Sequence, residues 1–209
     1  MNWLAHLFLA EAPLRCRLGN LLADVIKGPA RRTVDALLQR GLDCHRVIDR
    51  FTDSHPLFIH SSNQLSDRWA RFRGIVMDIY YDHLLARSWS RFSSEPLPQF
   101  VRDFYATATH SVQTLPSFAG EVLQSIIHVD RLGSYATLAG IEDALTKLSA
   151  RITERVGQVI RLQDAMPELI KLDAILDNDF KQFFPELIAH VKAWSDSRPS
   201  LALVETPTV

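Results

Sequence analysis

The stretch GLDCHRVIDRFTDSHPLF, residues 41–58, has the apolar spacing of an amphipathic α-helix that ends at a Ser-His-Pro stop. Along it, His45, Asp49 and Asp53 recur at every fourth residue. Residues four apart lie on the same face of a helix, about one turn apart. The stretch therefore predicts a helix that presents a ladder of metal-binding side chains on one face.

The same helical spacing of apolar residues continues through nearly all of the 209 residues. No alternating run of β-branched residues reaches strand length, and no Gly/Ser/Pro-rich linker divides the chain. We therefore predict an all-α protein, a compact bundle of about eight to ten helices. The bundle is predicted to form a single domain over residues 1–195. Residues 196–209 lose the periodicity and are predicted to be a flexible tail.

The composition, with 47% hydrophobic and 22% charged residues, is typical of a soluble globular protein. The apolar start is interrupted by His6 and Glu11 and has no basic residue before it, so neither a signal peptide nor a membrane span is expected. We expect a cytoplasmic protein. Cys16 and Cys44, the only cysteines, form no CxxC motif, which disfavours structural zinc and a disulfide scaffold.

The net charge of −1 is unevenly distributed, since the first hundred residues are slightly basic and the remainder is acidic. If the unusual acids of the first half are neutralised in a site, the surface around them is basic, which favours an anionic partner. Nucleic acid is not favoured, given a pI of about 6.7 and no nucleic-acid-binding motif.

Four apolar helical segments carry polar residues at i and i+4, which can aim at one point in space. The pairs are Asn2 with His6, Asn20 with Asp24, His45 with Asp49, and Asp78 with Asp82. Asp24, Asp78 and Asp82 lie in segments otherwise suited to a core, where carboxylates need a cation or a metal. Any one pair also fits a helix cap or a hydrogen bond within the helix. Their repetition favours one polar, metal-binding pocket.

Carboxylate and imidazole ligands without thiolate suit Mn²⁺, Mg²⁺ or Fe²⁺ better than structural Zn²⁺, although ligand type alone leaves Zn²⁺ open. Such an ion lowers the pKa of a bound water and polarises a phosphoryl oxygen. The chain has no GxxxxGK[ST], GxGxxG or GxSxG motif, so nucleotide-driven, dinucleotide-dependent and serine-hydrolase chemistries lack support. The residues therefore favour hydrolysis of a phosphate ester.

Other polar residues are interpreted as structural. The histidines without a nearby acidic partner in the helical pattern are His60, His110, His128 and His190. An acidic run flanked by lysines is interpreted as a solvated helix face. Its members are Asp173, Asp177 and Asp179.

Four segments, in this order and near this spacing, resemble a known family. They are MNWLAHLFLA at 1–10, GNLLADVIKG at 19–28, HRVIDRFTDSHP at 45–56 and DIYYDHLLARSW at 78–89. Over roughly residues 1–90 they look like the acyl carrier protein phosphodiesterases, also called acyl carrier protein hydrolases. The resemblance implies a helical fold related to the HD-type metal phosphohydrolases. It also implies removal of the 4′-phosphopantetheine arm from holo acyl carrier protein, with Mn²⁺ or a similar ion, and a role in fatty acid biosynthesis.

The resemblance also implies roles for individual residues. The metal ligands would be Asp24, His45 and Asp49, with one or more of Asp78, Asp82 and His83. The surrounding shell would be His6, Asn20, Asp53 and His55. The chain departs from the HD pattern because it has no His-Asp dipeptide, and only the reversed Asp82-His83 pair occurs among these motifs. Arg46 or Arg50 would steady the phosphate, with a surface ion pair as the alternative for each.

Two other functions remain open. One is an HD-type pyrophosphohydrolase of a guanosine-type alarmone, which needs base-stacking aromatic side chains such as Tyr80, Tyr81 or Trp69 near the site. The other is a noncatalytic module that binds an acidic partner protein. The basic, aromatic stretch LSDRWARFRG, residues 65–74, suits either the second function or docking of an acidic carrier protein. Its candidate contacts are Arg68, Trp69, Arg71, Phe72 and Arg73. A solvated helix or loop is the alternative.

Overall fold

A computed structural model describes residues 1–199. Within that range the chain forms ten α-helices, several joined by short 3₁₀ turns, and no β-strand. The helices are α1 Trp3–Leu9, α2 Leu14–Leu21, α3 Ala36–Ser54, α4 Pro56–Gln64, α5 Arg73–Arg87, α6 Leu97–Thr109, α7 Ser117–His128, α8 Arg131–Ser134, α9 Leu138–Val156 and α10 Met166–Asp196. The predicted all-α class is confirmed. Residues 200–209 of the predicted tail lie outside the described residues.

The ends of α3 and α9 follow from local sequence. Helix α3 begins after Asp35, whose carboxylate accepts the Leu38 N–H, and it ends before the His55–Pro56 step. Helix α9 ends at Gly157, whose φ of 69° lies in the left-handed region that glycine adopts without strain. These signals set the lengths of the two helices that carry most of the side chains discussed below.

Helices α2 and α3 touch through glycines. A Cβ on Gly19 would lie 2.1 Å from the carbonyl oxygen of Leu38, and a Cβ on Gly41 would lie 2.1 Å from that of Cys16. Any side chain at either position would push the helices apart. The close approach brings Asn20, the residue after Gly19, against the buried face of α3.

Helix α10 packs against α4 and α5, and a buried polar network joins them. Asp179 is only 4% exposed, accepts a hydrogen bond from the Ser61 hydroxyl at 2.7 Å, and lies 2.7 Å from His60 Nδ1. The Tyr81 hydroxyl in turn donates to Ser61. The prediction that Asp179 belongs to a solvated face is wrong, because its side of α10 faces α4. The other two acids of that run are only partly exposed and bind Arg87.

The C-terminal end of α10 is fixed to the first half of the chain by Glu11 and Arg40. Arg40 donates to both carboxylate oxygens of Glu11, at 2.5 and 2.6 Å, and to the Ser195 and Pro199 carbonyls. Ser195 also donates to Glu11. These bonds hold the last described residues close to α3.

Cys16 and Cys44 are both buried and free. A search of residues 1–199 finds no helix with the length and hydropathy needed to cross a membrane.

Candidate metal centre

Three side chains converge where α1 meets α3. His6 Nε2 lies 3.2 Å from Asp49 Oδ1, and His45 Nε2 lies 3.0 Å from Asp49 Oδ2. The two imidazole rings stack, with centroids 3.9 Å apart. Both histidines are buried, whereas the Asp49 side chain is 39% exposed. One ligand atom from each residue lies within 4.8 Å of the others, which is close enough to share one ion.

Asn20 orients both rings. Its side-chain oxygen lies 2.9 Å from His6 Nδ1, and its backbone oxygen lies 2.8 Å from His45 Nδ1. Its amide nitrogen donates to Cys44 Sγ at 3.4 Å, which leaves the amide oxygen facing His6. An acceptor beside Nδ1 favours the tautomer with the proton on Nδ1, and in that neutral tautomer the Nε2 lone pair of each ring points towards Asp49.

The charge states within this cluster follow from burial and from its own contacts. Burial, with a contribution from His45, lowers the pKa of His6 to about 4, so its ring is neutral at neutral pH. Although burial acts to raise the pKa of Asp49, contacts with His45 and His6 hold it well below its usual range. His6 Nε2 thus lies beside an ionised carboxylate and, at 3.1 Å, the Met1 carbonyl oxygen. Two imidazoles and oxygen donors are a donor set that suits Mn²⁺ or Fe²⁺.

Asp24 stands at the mouth of the cluster, 3.8 Å from His45 Nε2. Helix α2 ends at Leu21, so Asp24 lies in the following turn with its side chain 70% exposed, 3.3 Å from Lys27 Nζ. The prediction that Asp24 is a buried carboxylate among apolar residues is wrong for this reason. Its distance still makes it the nearest further carboxylate to His45.

Asp78 is linked to Asp49 by the N-terminal amine of Met1, which lies between the two carboxylates. The Met1 nitrogen lies 2.8 Å from Asp78 Oδ1 and 3.8 Å from Asp49 Oδ1. Burial acts to lower the pKa of this amine, but Asp78 and Asp49 outweigh it and the pKa is raised. The two acids therefore hold a positive charge between them.

Asp82 and His83 are not brought into the cluster. Asp82 accepts the backbone N–H groups of Leu4 at 2.7 Å and Ala5 at 3.2 Å, and burial raises its pKa to about 7. The His83 Nδ1 atom lies 2.8 Å from the carbonyl oxygen of Tyr135, on another face of α5. The prediction that these two residues are metal ligands is therefore wrong. Both carboxylate oxygens of Asp82 accept N–H groups at the start of α1, and His83 faces Tyr135. Asp82 instead fixes the helix that carries His6.

His55 lies apart from the cluster, and Asp53 borders it without joining the three ligand atoms. Asp53 is exposed, one turn beyond Asp49 and near the end of α3. His55 caps α4, since its Nδ1 accepts the Leu57 N–H at 3.2 Å, and its Nε2 lies 3.2 Å from Glu186. The four-residue spacing of His45, Asp49 and Asp53 therefore continues along α3, but Asp53 faces solvent. His55 contacts α4 and Glu186.

The basic stretch at 65–74 is largely engaged within the protein. Trp69 is 4% exposed and donates to Glu168 at 2.9 Å, so the prediction of an exposed tryptophan anchor is wrong. Arg68 pairs with Asp164 at 3.1 Å and Arg73 with Asp67 at 2.8 Å. Phe72 packs against the core beneath Arg71, which remains exposed.

The aromatic side chains required for an alarmone pyrophosphohydrolase are equally inaccessible. Tyr80 and Tyr81 are 1% and 0% exposed, and Trp69 is buried as described above. None of these three rings is free to stack on a nucleotide base. The alarmone pyrophosphohydrolase alternative therefore lacks the base-stacking side chains that it requires among these three residues.

A cavity of about 650 Å³ opens beside the cluster, between α7 and α9 with α5 as its floor. Its lining includes Met1, Asp24 and Asp78 from the site, and Lys147, Arg151 and Arg155 from α9. Sequence reasoning missed this cavity. The available signal was the spacing of three basic residues at every fourth position in LTKLSARITERV, residues 145–156.

Comparison with known proteins assigns the family. The family model described as acyl carrier protein phosphodiesterase matches residues 1–187, which include the cluster and the whole cavity lining. Proteins named acyl carrier protein phosphodiesterase from Photorhabdus laumondii and Serratia proteamaculans are each 30% identical to this chain. The matches cover 90% and 92% of this chain and 93% and 98% of those relatives. No solved structure matches the chain.

Proposed function

The chain belongs to the acyl carrier protein phosphodiesterase family, and from this membership we propose that it hydrolyses the 4′-phosphopantetheine phosphodiester of holo acyl carrier protein. Oxygen from water bonds to phosphorus, the bond between phosphorus and the carrier serine oxygen breaks, and that oxygen takes up a proton. The products are apo acyl carrier protein and 4′-phosphopantetheine. The observation that carries the proposal is the His6, His45 and Asp49 cluster beside a ligand-sized cavity.

His6, His45 and Asp49 hold the metal in this proposal, with Mn²⁺ favoured and Mg²⁺ or Fe²⁺ as alternatives. Asp24 and Asp78 are the nearest further carboxylates. The support is the donor set itself, because Asn20 directs both Nε2 lone pairs towards an ionised carboxylate. When bound, such an ion supplies positive charge that stabilises the phosphate and makes a water molecule more acidic. We propose an HD-like arrangement in which the His and Asp are four residues apart on one helix.

Lys27 is the cation we assign to the phosphate oxygens. Its Nζ is 3.3 Å from Asp24 and 68% exposed, and it lines the cavity at the mouth of the cluster. Arg46 or Arg50 is the residue predicted for this role, but neither lines the cavity, and Arg46 lies 4.0 Å from Asp43. An exposed lysine at the mouth can meet the incoming phosphate as a mobile point charge.

We propose acyl carrier protein as the protein partner and the cytoplasm as the place of reaction. No nucleic acid or membrane takes part in the proposal.

A single experiment tests the reaction. The protein is incubated with holo acyl carrier protein and Mn²⁺, with and without a chelator, and the carrier is weighed by mass spectrometry. We expect the carrier to lose the phosphopantetheine mass only when the metal is present, and the His45→Ala protein to leave it intact. An unchanged carrier mass with the metal present would exclude the reaction, and full conversion in chelator would exclude the metal.

A further inference from the structure

We infer that the cavity between α7 and α9 binds the pantetheine arm, and that Arg151 and Arg155 on its rim bind carboxylates of the carrier protein. This inference rests on the proposed function, because it takes the carrier and its arm as the substrate. It locates the docking surface on α9 rather than on the stretch at 65–74.

The cavity adjoins the candidate metal centre. Asp24 and Asp78 both line it, and Asp24 lies 3.8 Å from His45 Nε2. A group at the mouth of the cluster and a chain in the cavity can therefore belong to one ligand. The volume of about 650 Å³ far exceeds the space that a phosphate needs and lies within the usual range for small-molecule sites, roughly 300–1,000 Å³.

The cavity wall suits a long, mostly uncharged chain. The aliphatic side chains that line it from α5, α7 and α9 include Ile75, Ile79, Val122, Ile126, Leu148 and Ile152. Ser125 adds a hydroxyl group to the wall of α7. The pantetheine arm consists of methylene, methyl and amide groups. Aliphatic walls with an occasional polar group match it.

The rim of the cavity carries a cationic row on α9. Lys147, Arg151 and Arg155 follow one another at four-residue intervals, so they share one helix face over roughly 12 Å. Lys147 is paired with Asp143 at 2.9 Å. Within residues 1–199, neither Arg151 nor Arg155 has a carboxylate within 4.0 Å, and both are exposed.

The row is well placed to contact a protein. Val156 is 37% exposed and Val159 is 80% exposed, so apolar contact area adjoins the two unpaired arginines. Glu121 lines the cavity on α7, across from the cationic row of α9. Unpaired arginines beside exposed aliphatic residues fit an acidic protein surface through charge complementarity.

The test is a binding titration that needs no turnover. Affinities for holo-carrier and apo-carrier are measured by isothermal titration calorimetry in chelator for the wild type and three double variants. Arg151→Gln with Arg155→Gln removes the proposed rim charges. Arg68→Gln with Arg71→Gln tests the stretch at 65–74. Arg91→Gln with Arg102→Gln is the matched control, because both residues are exposed arginines outside the cavity lining.

We expect the Arg151/Arg155 double variant to bind both carrier forms roughly threefold to thirtyfold more weakly, as for two exposed ion pairs. The loss should shrink at high salt. The control should bind like the wild type. If the Arg151/Arg155 variant matches the control, or if the Arg68/Arg71 variant alone loses affinity, the α9 surface is excluded.

Filling the cavity tests the arm separately. Ser125→Trp introduces a large ring at the cavity wall and leaves the rim arginines unsubstituted. We expect it to abolish the difference in affinity between holo-carrier and apo-carrier while leaving apo-carrier binding unchanged, with circular dichroism and the melting temperature confirming the fold. A preserved difference in a folded variant would place the arm elsewhere. Wild-type protein that binds the carrier but leaves its mass unchanged would defeat the proposed reaction and not the docking surface.

Discussion

The imidazole rings of His6 and His45 stack face to face with centroids 3.9 Å apart, although they lie on different helices. Burial is the larger cause of the lowered pKa of His6, and the nearby His45 adds to it because two charged rings at this separation would repel each other. In their neutral forms, with each Nδ1–H donating a hydrogen bond to an Asn20 oxygen, both rings direct the unprotonated Nε2 towards Asp49. The two rings and Asp49 thus bring three potential ligand atoms within 4.8 Å of one another.

Asp49→Asn should abolish metal binding and hydrolysis, because it removes the negative charge between the two imidazoles while keeping the side-chain size. We expect Mn²⁺ affinity and activity to fall by at least about 100-fold. Mn²⁺ should raise the melting temperature of the wild type and not that of the variant. Asp43→Asn on the same helix, which removes an acid paired with Arg31, is the control. Equal Mn²⁺ stabilisation of both variants would remove Asp49 from the ligand set.

Asn20→Ala should weaken Mn²⁺ binding by about 10–100-fold, since the side-chain oxygen that fixes the His6 tautomer is lost. The backbone oxygen that orients His45 remains, so binding should weaken without vanishing. Calorimetric titration with Mn²⁺ measures the change, and Asn178→Ala on the exposed side of α10 serves as control. Unchanged affinity in Asn20→Ala would mean that the orientation of His6 does not matter for the ion.

Asp82→Ala should destabilise the fold, whereas Asp24→Ala should not. Removing the Asp82 carboxylate leaves the buried N–H groups of Leu4 and Ala5 without an acceptor, at a cost of about 2–4 kcal/mol. The exposed Asp24 should change the free energy of unfolding by less than about 0.5 kcal/mol while impairing hydrolysis. Urea unfolding of both variants gives the comparison. Equal stabilities would show that Asp82 does not anchor α1.

Gly41→Ala should separate α2 from α3, because the new methyl group would meet the Cys16 carbonyl oxygen at 2.1 Å. We expect a loss of about 3 kcal/mol or more, at the upper end for overpacked positions, together with weaker Mn²⁺ binding. Gly74→Ala is the matched control in α5, where a Cβ meets nothing within 4 Å. That variant should be unchanged or slightly more stable. Thermal unfolding distinguishes the two, and a neutral Gly41→Ala would contradict the close contact.

The ion pair between Glu11 and Arg40 should make the free energy of unfolding depend on pH in the acidic range. Burial acts to raise the pKa of Glu11, but the hydrogen bond from Arg40 lowers it below the ordinary value of 4.5. The unfolded carboxylate therefore binds a proton before the folded one does as the pH falls. The contribution is complete above about pH 4.5 and disappears as the pH falls through the folded pKa.

Glu11→Gln should accordingly lower the free energy of unfolding at pH 7 by about 1–2 kcal/mol. The difference from the wild type should diminish below pH 4. Urea titrations at pH 7, 5 and 3.5 test this. A difference that stays constant over the whole range would mean that the Glu11 charge makes no contribution.

The helices and two of the three cluster residues, His45 and Asp49, could be predicted from the sequence because their determinants are local. The aspartate cap before α3, the His-Pro stop after it, and the spacing of His45 and Asp49 are all encoded within one segment. The resemblance of the first 90 residues to the family was likewise confirmed by the match over residues 1–187.

The remainder of the site depends on contacts between distant segments. Periodicity gave no sign that α2 stops at Leu21, which turns Asp24 towards solvent. It also could not show that the partners of Asp82 are backbone groups 77 and 78 residues away. Trp69 looked like an exposed anchor because its partner, Glu168, lies 99 residues further along the chain. Such pairings are decided by tertiary packing and not by local pattern.

The reactivity of the Cys44 thiol can report how often the structure around the candidate metal centre opens locally. It is buried against the Asn20 amide, and burial raises its pKa to about 12, so almost no reactive thiolate exists at neutral pH. Thiol reagents should therefore label Cys44 only in molecules whose α2 and α3 have momentarily parted. The labelling rate would therefore measure how frequently α2 and α3 separate. A bound ion that joins His6 to His45 should lower this rate.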